Sequence, residues 1–188
     1  DPYDDRDPAW SPDGSRIAFS SDRGRYGKDG RFNIHSIDPQ SGRIESLISD
    51  SANYFSPSWS ADGTDVLCTS DRGGTHDVYA FRSAQFRGGT RDVIRVTSMI
   101  TSVFDPVWTD EGDVIFTAFD GYRFQIRKVR DIRAKLDSLP KISVDFADTS
   151  SSHWDVPLWR GSTVLSSLRY EKDYQLDIAQ SQISTDPI

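Results

Sequence analysis

Asp7-Pro8-Ala9-Trp10-Ser11-Pro12-Asp13-Gly14 opens a pattern that returns twice. It comes back as Ser56-Pro57-Ser58-Trp59-Ser60-Ala61-Asp62-Gly63 and then as Asp105-Pro106-Val107-Trp108-Thr109-Asp110-Glu111-Gly112. Val156-Pro157-Leu158-Trp159-Arg160-Gly161 is the candidate for a fourth copy, with a shorter turn. The tryptophans are spaced by 49, 49 and 51 residues. A period in this range marks a repeat architecture. Counting from each Trp, apolar or small residues align at Ile17, Val66 and Ile115, then at Phe19, Cys68 and Thr117, and carboxylates align at Asp22, Asp71 and Asp120.

Within a unit the residue types spell four short strands. Pro8 allows a strand start or an edge. Pro12-Asp13-Gly14 is a turn, because Pro presets φ and Gly accepts positive φ. Residues 16–21, 32–38 and 43–48 follow as strands, with a Gly-rich loop at 22–31 and a Pro39-Gln40-Ser41-Gly42 turn between them. The second unit repeats this with strands at 65–70, 76–82 and 92–97, and the third with 113–118, 123–130 and 141–145. The second strand of each unit is apolar on both faces (Ile17, Ala18, Phe19; Val66, Leu67, Cys68), which calls for packing on both sides. Four-stranded units of this length with a recurring Trp predict an all-β chain, a partial β-propeller of three clear blades and a degenerate fourth. Each Trp can bury roughly 150–250 Å². That offsets the low hydrophobic fraction of 36%.

The run Asp-Pro-x-Trp-Ser-Pro-Asp-Gly, an apolar strand, and then Ser21-Asp22-Arg23-Gly24 resembles the PD40 or TolB-like propeller repeat. The second unit keeps Ser70-Asp71-Arg72-Gly73, while the third loses the Arg-Gly pair. The resemblance implies a propeller over residues 1–148 and a bacterial envelope setting, periplasm or outer membrane. It also implies a non-enzymatic scaffold that presents its loops to protein partners, either envelope proteins or the rest of a larger polypeptide. Two alternatives stay open: the propeller module of a larger outer-membrane β-barrel protein, and a propeller gating a peptidase encoded elsewhere in the polypeptide. Residues 149–188 read either as the degenerate fourth blade or as the start of a following β domain. The alternation from Tyr174 through Leu176 and Ile178 resembles the entry to an outer-membrane surface-antigen barrel.

The 188 residues fit one domain, two at most. No apolar run is long enough for a membrane-spanning helix. Lys+Arg 22 against Asp+Glu 29 gives a net charge of -7, which argues against a nucleic-acid partner. The chain opens on Asp1 and holds one Met, Met99, so it reads as a processed protein or a piece of a longer one. Cys68, the single cysteine, falls in an apolar column and is expected to be a buried hydrophobe.

No Gly-x-Ser-x-Gly elbow, phosphate loop or His-Glu-x-x-His occurs, so no catalytic residue is assigned. His35, His76 and His153 hold non-equivalent positions and are expected to be partly exposed strand and linker residues. The column Asp22, Asp71, Asp120 is a weak candidate for calcium, since repeats bring carboxylate oxygens around an axis. Its simpler reading is turn capping by Asp, and no cofactor is expected. The loop face collects Arg23, Arg25, Tyr26, Tyr54, Phe55, Arg72 and Phe104 as candidate partner-binding residues, Arg and Tyr being favoured at interface hot spots. Packing between blades is the competing role for Tyr54, Phe55 and Phe104.

Overall fold

A computed structural model describes residues 2–83 and 89–146. The degenerate fourth blade or following domain at residues 149–188, His153 included, lies outside the described residues. Twelve strands form among the described residues: β1 (Asp5–Trp10), β2 (Ile17–Ser21), β3 (Asn33–Ile37), β4 (Ile44–Ile48), β5 (Tyr54–Trp59), β6 (Asp65–Ser70), β7 (Asp77–Arg82), β8 (Gly89–Arg95), β9 (Val103–Trp108), β10 (Val114–Asp120), β11 (Arg123–Val129) and β12 (Lys141–Phe146). They build three antiparallel sheets, ordered β1-β2-β3-β4, β12-β8-β7-β6-β5 and β11-β10-β9. The first strands β1, β5 and β9 neighbour one another along one side of the stack. This is the partial propeller that the repeat predicts.

The turn after each Trp explains why the repeat folds alike. Ser11 Oγ–H donates to Asp13 Oδ1 at 2.6 Å and accepts from the Arg16 amide at 2.9 Å. Ser60 does the same with Asp62, at 2.8 Å, and the Asp65 amide, at 3.0 Å. Gly14 and Gly63 close both turns at φ 69° and 71°, a region that costs an L side chain roughly 1–2 kcal/mol.

The blades pack face to face. Ala18, Ile34, Leu47 and Ile48 of the first sheet meet Val66, Cys68, Tyr79, Phe81 and Val93 of the second. Leu67, Val78, Ala80 and Ile94, on the other face of the second sheet, meet Trp108, Val114, Phe116 and Ala118 of the third. So β6 is buried along its whole length, as its two-sided apolar pattern requires. The Trp59 indole donates across the blade boundary to the Ala9 carbonyl at 3.1 Å. Trp10 reaches no such carbonyl among the described residues and is exposed.

Two expectations change in the third unit. The strand at 141–145 forms as β12, but pairs with β8 of the second sheet rather than with β11. The intervening segment explains this. A short helix, α1 (Ile132–Lys135), buries Ile132, and Leu136 follows it into the core between the second and third sheets. Asp137 then bonds Arg82 of β7 at 2.9 Å, which carries the chain back to the second sheet. The column alignment also slips. Six residues separate the paired Trp10 and Ile17, and six separate Trp59 and Val66. Trp108, however, pairs with Val114, only five residues apart, because the Thr109 amide bonds the Asp113 carbonyl in a tighter turn. The true equivalents of Val66, Cys68 and Asp71 are therefore Val114, Phe116 and Phe119.

Candidate functional site

That slip removes Asp120 from the carboxylate column. Asp22 Oδ1 accepts the Asp4 amide at 2.9 Å, and Asp71 Oδ1 accepts the Asn53 amide at 2.8 Å. Both stitch the start of a first strand to the end of a second. Asp120 instead closes the β10–β11 hairpin and pairs with Arg127. The three carboxylates do not form a repeated ring, and among the described residues no group of three His, Cys, Asp or Glu could hold a metal.

The seven loop-face candidates divide into two sets. Arg23, Tyr54 and Arg72 face inward. Arg23 is buried, with its guanidinium on both Asp5 carboxylate oxygens at 2.8 and 2.7 Å. Its repeat partner Arg72 donates to the Tyr54 hydroxyl at 2.9 Å and pairs with Asp50. Tyr54 is fully buried and donates to Asp50 at 2.8 Å. Burial, with the Asp50 charge beside it, holds the Tyr54 phenol well above its usual range. These three side chains clamp the blades from inside. Arg25, Tyr26, Phe55 and Phe104 reach the surface, with the Arg25 guanidinium 5.6 Å from the Tyr26 ring. His35, expected to be partly exposed, is buried in β3. Cys68 is fully buried as expected, and burial pushes its thiol up, away from the reactive thiolate.

Phe55 and Phe104 belong to a longer feature. The Arg6 guanidinium sits 4.6 Å from the Phe32 ring. Phe32 is 5.4 Å from Phe55, Phe55 is 6.4 Å from His76, His76 is 5.7 Å from Phe104, and Phe104 is 6.3 Å from Phe124. These are tilted contacts, with an edge contact at Phe104–Phe124, at the centroid distances that aromatic pairs favour. Strand register shows the row to be periodic. Arg6, Phe55 and Phe104 are equivalent positions in β1, β5 and β9. Phe32, His76 and Phe124 are equivalent too, since each precedes the residue (Asn33, Asp77 or Gln125) that pairs with Ser21, Ser70 or Ala118, themselves equivalent in the second strands. Each blade supplies two members, and the row crosses both blade boundaries. Phe32, Phe55, His76 and Phe104 are half-buried, while the two ends of the row, Arg6 and Phe124, are exposed, Phe124 at 67%.

A backbone device sets the first-strand members. The next residue in each, Asp7, Ser56 or Asp105, is left-handed at φ 53°, 50° and 51°. Each precedes a proline, and the strand register shifts beside it, as in a β-bulge. The strained residues are tied together: the Ser56 amide donates to Asp7 at 3.0 Å and the Ser56 hydroxyl to Asp105 at 2.9 Å. The bulge bends the first strands and the ties hold Arg6, Phe55 and Phe104 in line. Left-handed non-glycine residues held this firmly are the kind of stored strain that gathers at functional sites.

A sequence profile of the TolB β-propeller domain, PD40, matches residues 2–153. The chain belongs to this family. Its fold is similar to that of a TolB-type protein from Agrobacterium tumefaciens, with TM-score 0.53 and 24% identity over 68% of this chain and 44% of that one. TolB from Acinetobacter baumannii is also similar, with TM-score 0.54 and 25% identity over 81% of this chain and 32% of that one. Puromycin hydrolase shares the fold at TM-score 0.51 and 12% identity, over 78% of this chain and 22% of that one. The chain thus spans less than half the length of each. No curated protein sequence matches it. Among the described residues no helix is long and apolar enough to cross a membrane, which says nothing of a β-barrel.

Proposed function

We propose that this propeller is a non-enzymatic protein-interaction module of the bacterial envelope, periplasmic in setting, and that the aromatic row is its docking surface. One observation carries the reading: six side chains, two per blade, line up across three blades at contact distances, four half-exposed and the two at the ends exposed, on a strained support. Rigid aromatic anchors lose little side-chain freedom on binding and dominate interface energetics. The partner segment that fits is an extended chain with apolar side chains spaced to meet successive rings.

The family membership supports the envelope setting, and the two TolB likenesses agree with it. The likeness to puromycin hydrolase is one of fold, so it favours neither the peptidase-gating reading nor the outer-membrane-barrel reading. Those two differ from the proposal in what accompanies the propeller in the polypeptide. The test is a photo-crosslinking amino acid at Phe104 in the source bacterium, with a control at Gln40 in the exposed β3–β4 turn. A discrete adduct from Phe104 that disappears in Phe55→Ser/His76→Ser is expected. Adducts from both positions, or one that survives the double change, would remove the row as the docking surface.

A further inference from the structure

The turns that follow each Trp lie at the end of the strands away from the aromatic row, and they meet across the blade boundaries. An arginine bridges the second and third turns. Arg133 of α1 lies over Gly112, where an added Cβ would come within 2.8 Å of the arginine's own Cβ. Its amide donates to the Gly112 carbonyl at 3.1 Å. Its guanidinium crosses to the second turn, where it pairs with Asp62 Oδ2 and donates to the Thr64 hydroxyl at 3.3 Å.

The first turn repeats that receptor. Asp13 Oδ1 accepts from the Ser11 hydroxyl and the Ser15 amide, as Asp62 Oδ1 does from the Ser60 hydroxyl and the Thr64 amide. In the second turn Oδ2 is then taken by Arg133. In the first, Oδ2 accepts the Ser15 hydroxyl at 2.8 Å, and no cation among the described residues pairs with Asp13. Gly63 stands where Gly112 does. The nearest described atom to a Cβ added there is Pro12 Cδ, at 3.6 Å, so the glycine leaves the same space. Between the first and second turns runs a groove of about 640 Å³, with Pro12, Asp13, Ser15 and Arg16 on one wall and Trp59 and Gly63 on the other. Its other lining charges are engaged: Arg16 pairs with Glu45 at 3.3 Å, and Asp62 with Arg133.

We propose that this groove receives an arginine side chain from a basic loop of a protein partner, held by the first turn as Arg133 is held by the second. The guanidinium would donate to Asp13 Oδ2 and the Ser15 hydroxyl and stack on the Trp59 indole, the aromatic ring that best attracts a cation. Its planar fork of donors suits two neighbouring oxygens, which the single ammonium of lysine does not match. The groove does not depend on the aromatic row being a docking site.

The test is an NMR titration of the 188-residue chain with Nα-acetylarginine amide, read at the Trp59 indole N–H and the Gly63 amide. Saturable shifts at both are expected, weakening as salt rises. The lysine analogue should bind about threefold more weakly, and the uncharged citrulline analogue should leave both signals in place. Asp13→Asn should weaken arginine binding about fivefold, the upper end for an exposed ion pair. The citrulline comparison uses the unmodified chain, so the proposal stays testable if Asp13→Asn loses its turn. Equal shifts from citrulline, or undiminished binding in Asp13→Asn with the turn intact, overturn it. So does binding that appears only in Arg87→Ala, which would assign the groove to this chain's own arginine.

Discussion

β7 and β11 hold the same place in successive sheets, yet β7 is buried almost throughout while β11 is exposed along most of its length. Their neighbours account for the difference. β7 has β6 and β8 on its edges and packed sheets on both faces, so Tyr79 and Phe81 point into one core and Val78 and Ala80 into the other. β11 has β10 on one edge and the second sheet on one side. Position within the repeat sets the backbone. The neighbouring blades decide how much of each strand leaves water.

Core truncation separates the two most sharply. Phe81→Ala should cost about 3–5 kcal/mol, as large-to-small changes in a packed core do. Ile126→Ala should fall within about 0.5 kcal/mol, as surface changes do. Urea denaturation of both variants measures this. Comparable losses would show the third sheet to be as enclosed as the second, and the comparison would fail.

The ion pairs follow the same division. Asp77, with no exposed side-chain surface, pairs with Arg95 and accepts from the Thr97 hydroxyl at 2.8 Å and the Met99 amide at 3.1 Å. Asp77→Ala would leave all three unanswered. Because Arg95 is itself partly exposed, the loss should sit at the lower end for a broken buried pair, about 3 kcal/mol. Asp120 pairs with Arg127 in the open, so Asp120→Ala should cost under about 1 kcal/mol. Thermal melts of the two variants at matched pH give the answer, and a costly Asp120→Ala would mean that this hairpin is organised by charge.

The three blades were legible because a turn built from Ser, Asp and Gly repeats its hydrogen bonds wherever it recurs, and because strand polarity has a period of two. The aromatic row was only half legible. Phe55 and Phe104 fall on the 49-residue period and stood out. Phe32, His76 and Phe124 do not, because loops of unequal length precede their strands, and only strand register shows them to be equivalent. The Asp120 alignment failed for the reverse reason: it keeps the sequence spacing while a shorter turn shifts its strand by one residue. Arg23 reads as a surface residue because its type suggests an interface, whereas Asp5, which holds it inside, lies 18 residues away; Tyr54 takes the competing packing role, held by Asp50 only four residues before it.

The β10–β11 hairpin carries a local cost that the buried hairpins lack. Gly121 and Tyr122 are both left-handed, at φ 57° and 63°, and Tyr122 is 98% exposed. Paired positive φ values suit the two-residue hairpin turn, but only glycine adopts them freely. Tyr122→Gly should therefore stabilise the chain by about 1 kcal/mol, whereas Tyr122→Ala should not. Denaturation midpoints of the pair test this. If alanine stabilises as much as glycine, the tyrosine side chain and not its backbone is the source.

The smallest effect concerns the turns that begin each blade. Hydrogen bonds from the Ser11 hydroxyl, and from the Ser15 amide and hydroxyl, hold the Asp13 carboxyl down at about 2. A folded-state value below the unfolded one stabilises the fold above the ordinary carboxylate range, and that contribution is lost as pH falls through about 2. In the third turn Glu111 stands at the matching place, its carboxyl lowered by the Thr109 hydroxyl, and the loop is one residue shorter. Carboxyl carbon NMR should thus find Asp13 titrating near 2, and Ser11→Ala should return it toward the ordinary range. The same change at Thr109 should leave Asp13 where it is. An Asp13 that titrates normally in the unmodified chain would mean that the hydroxyl network is not formed.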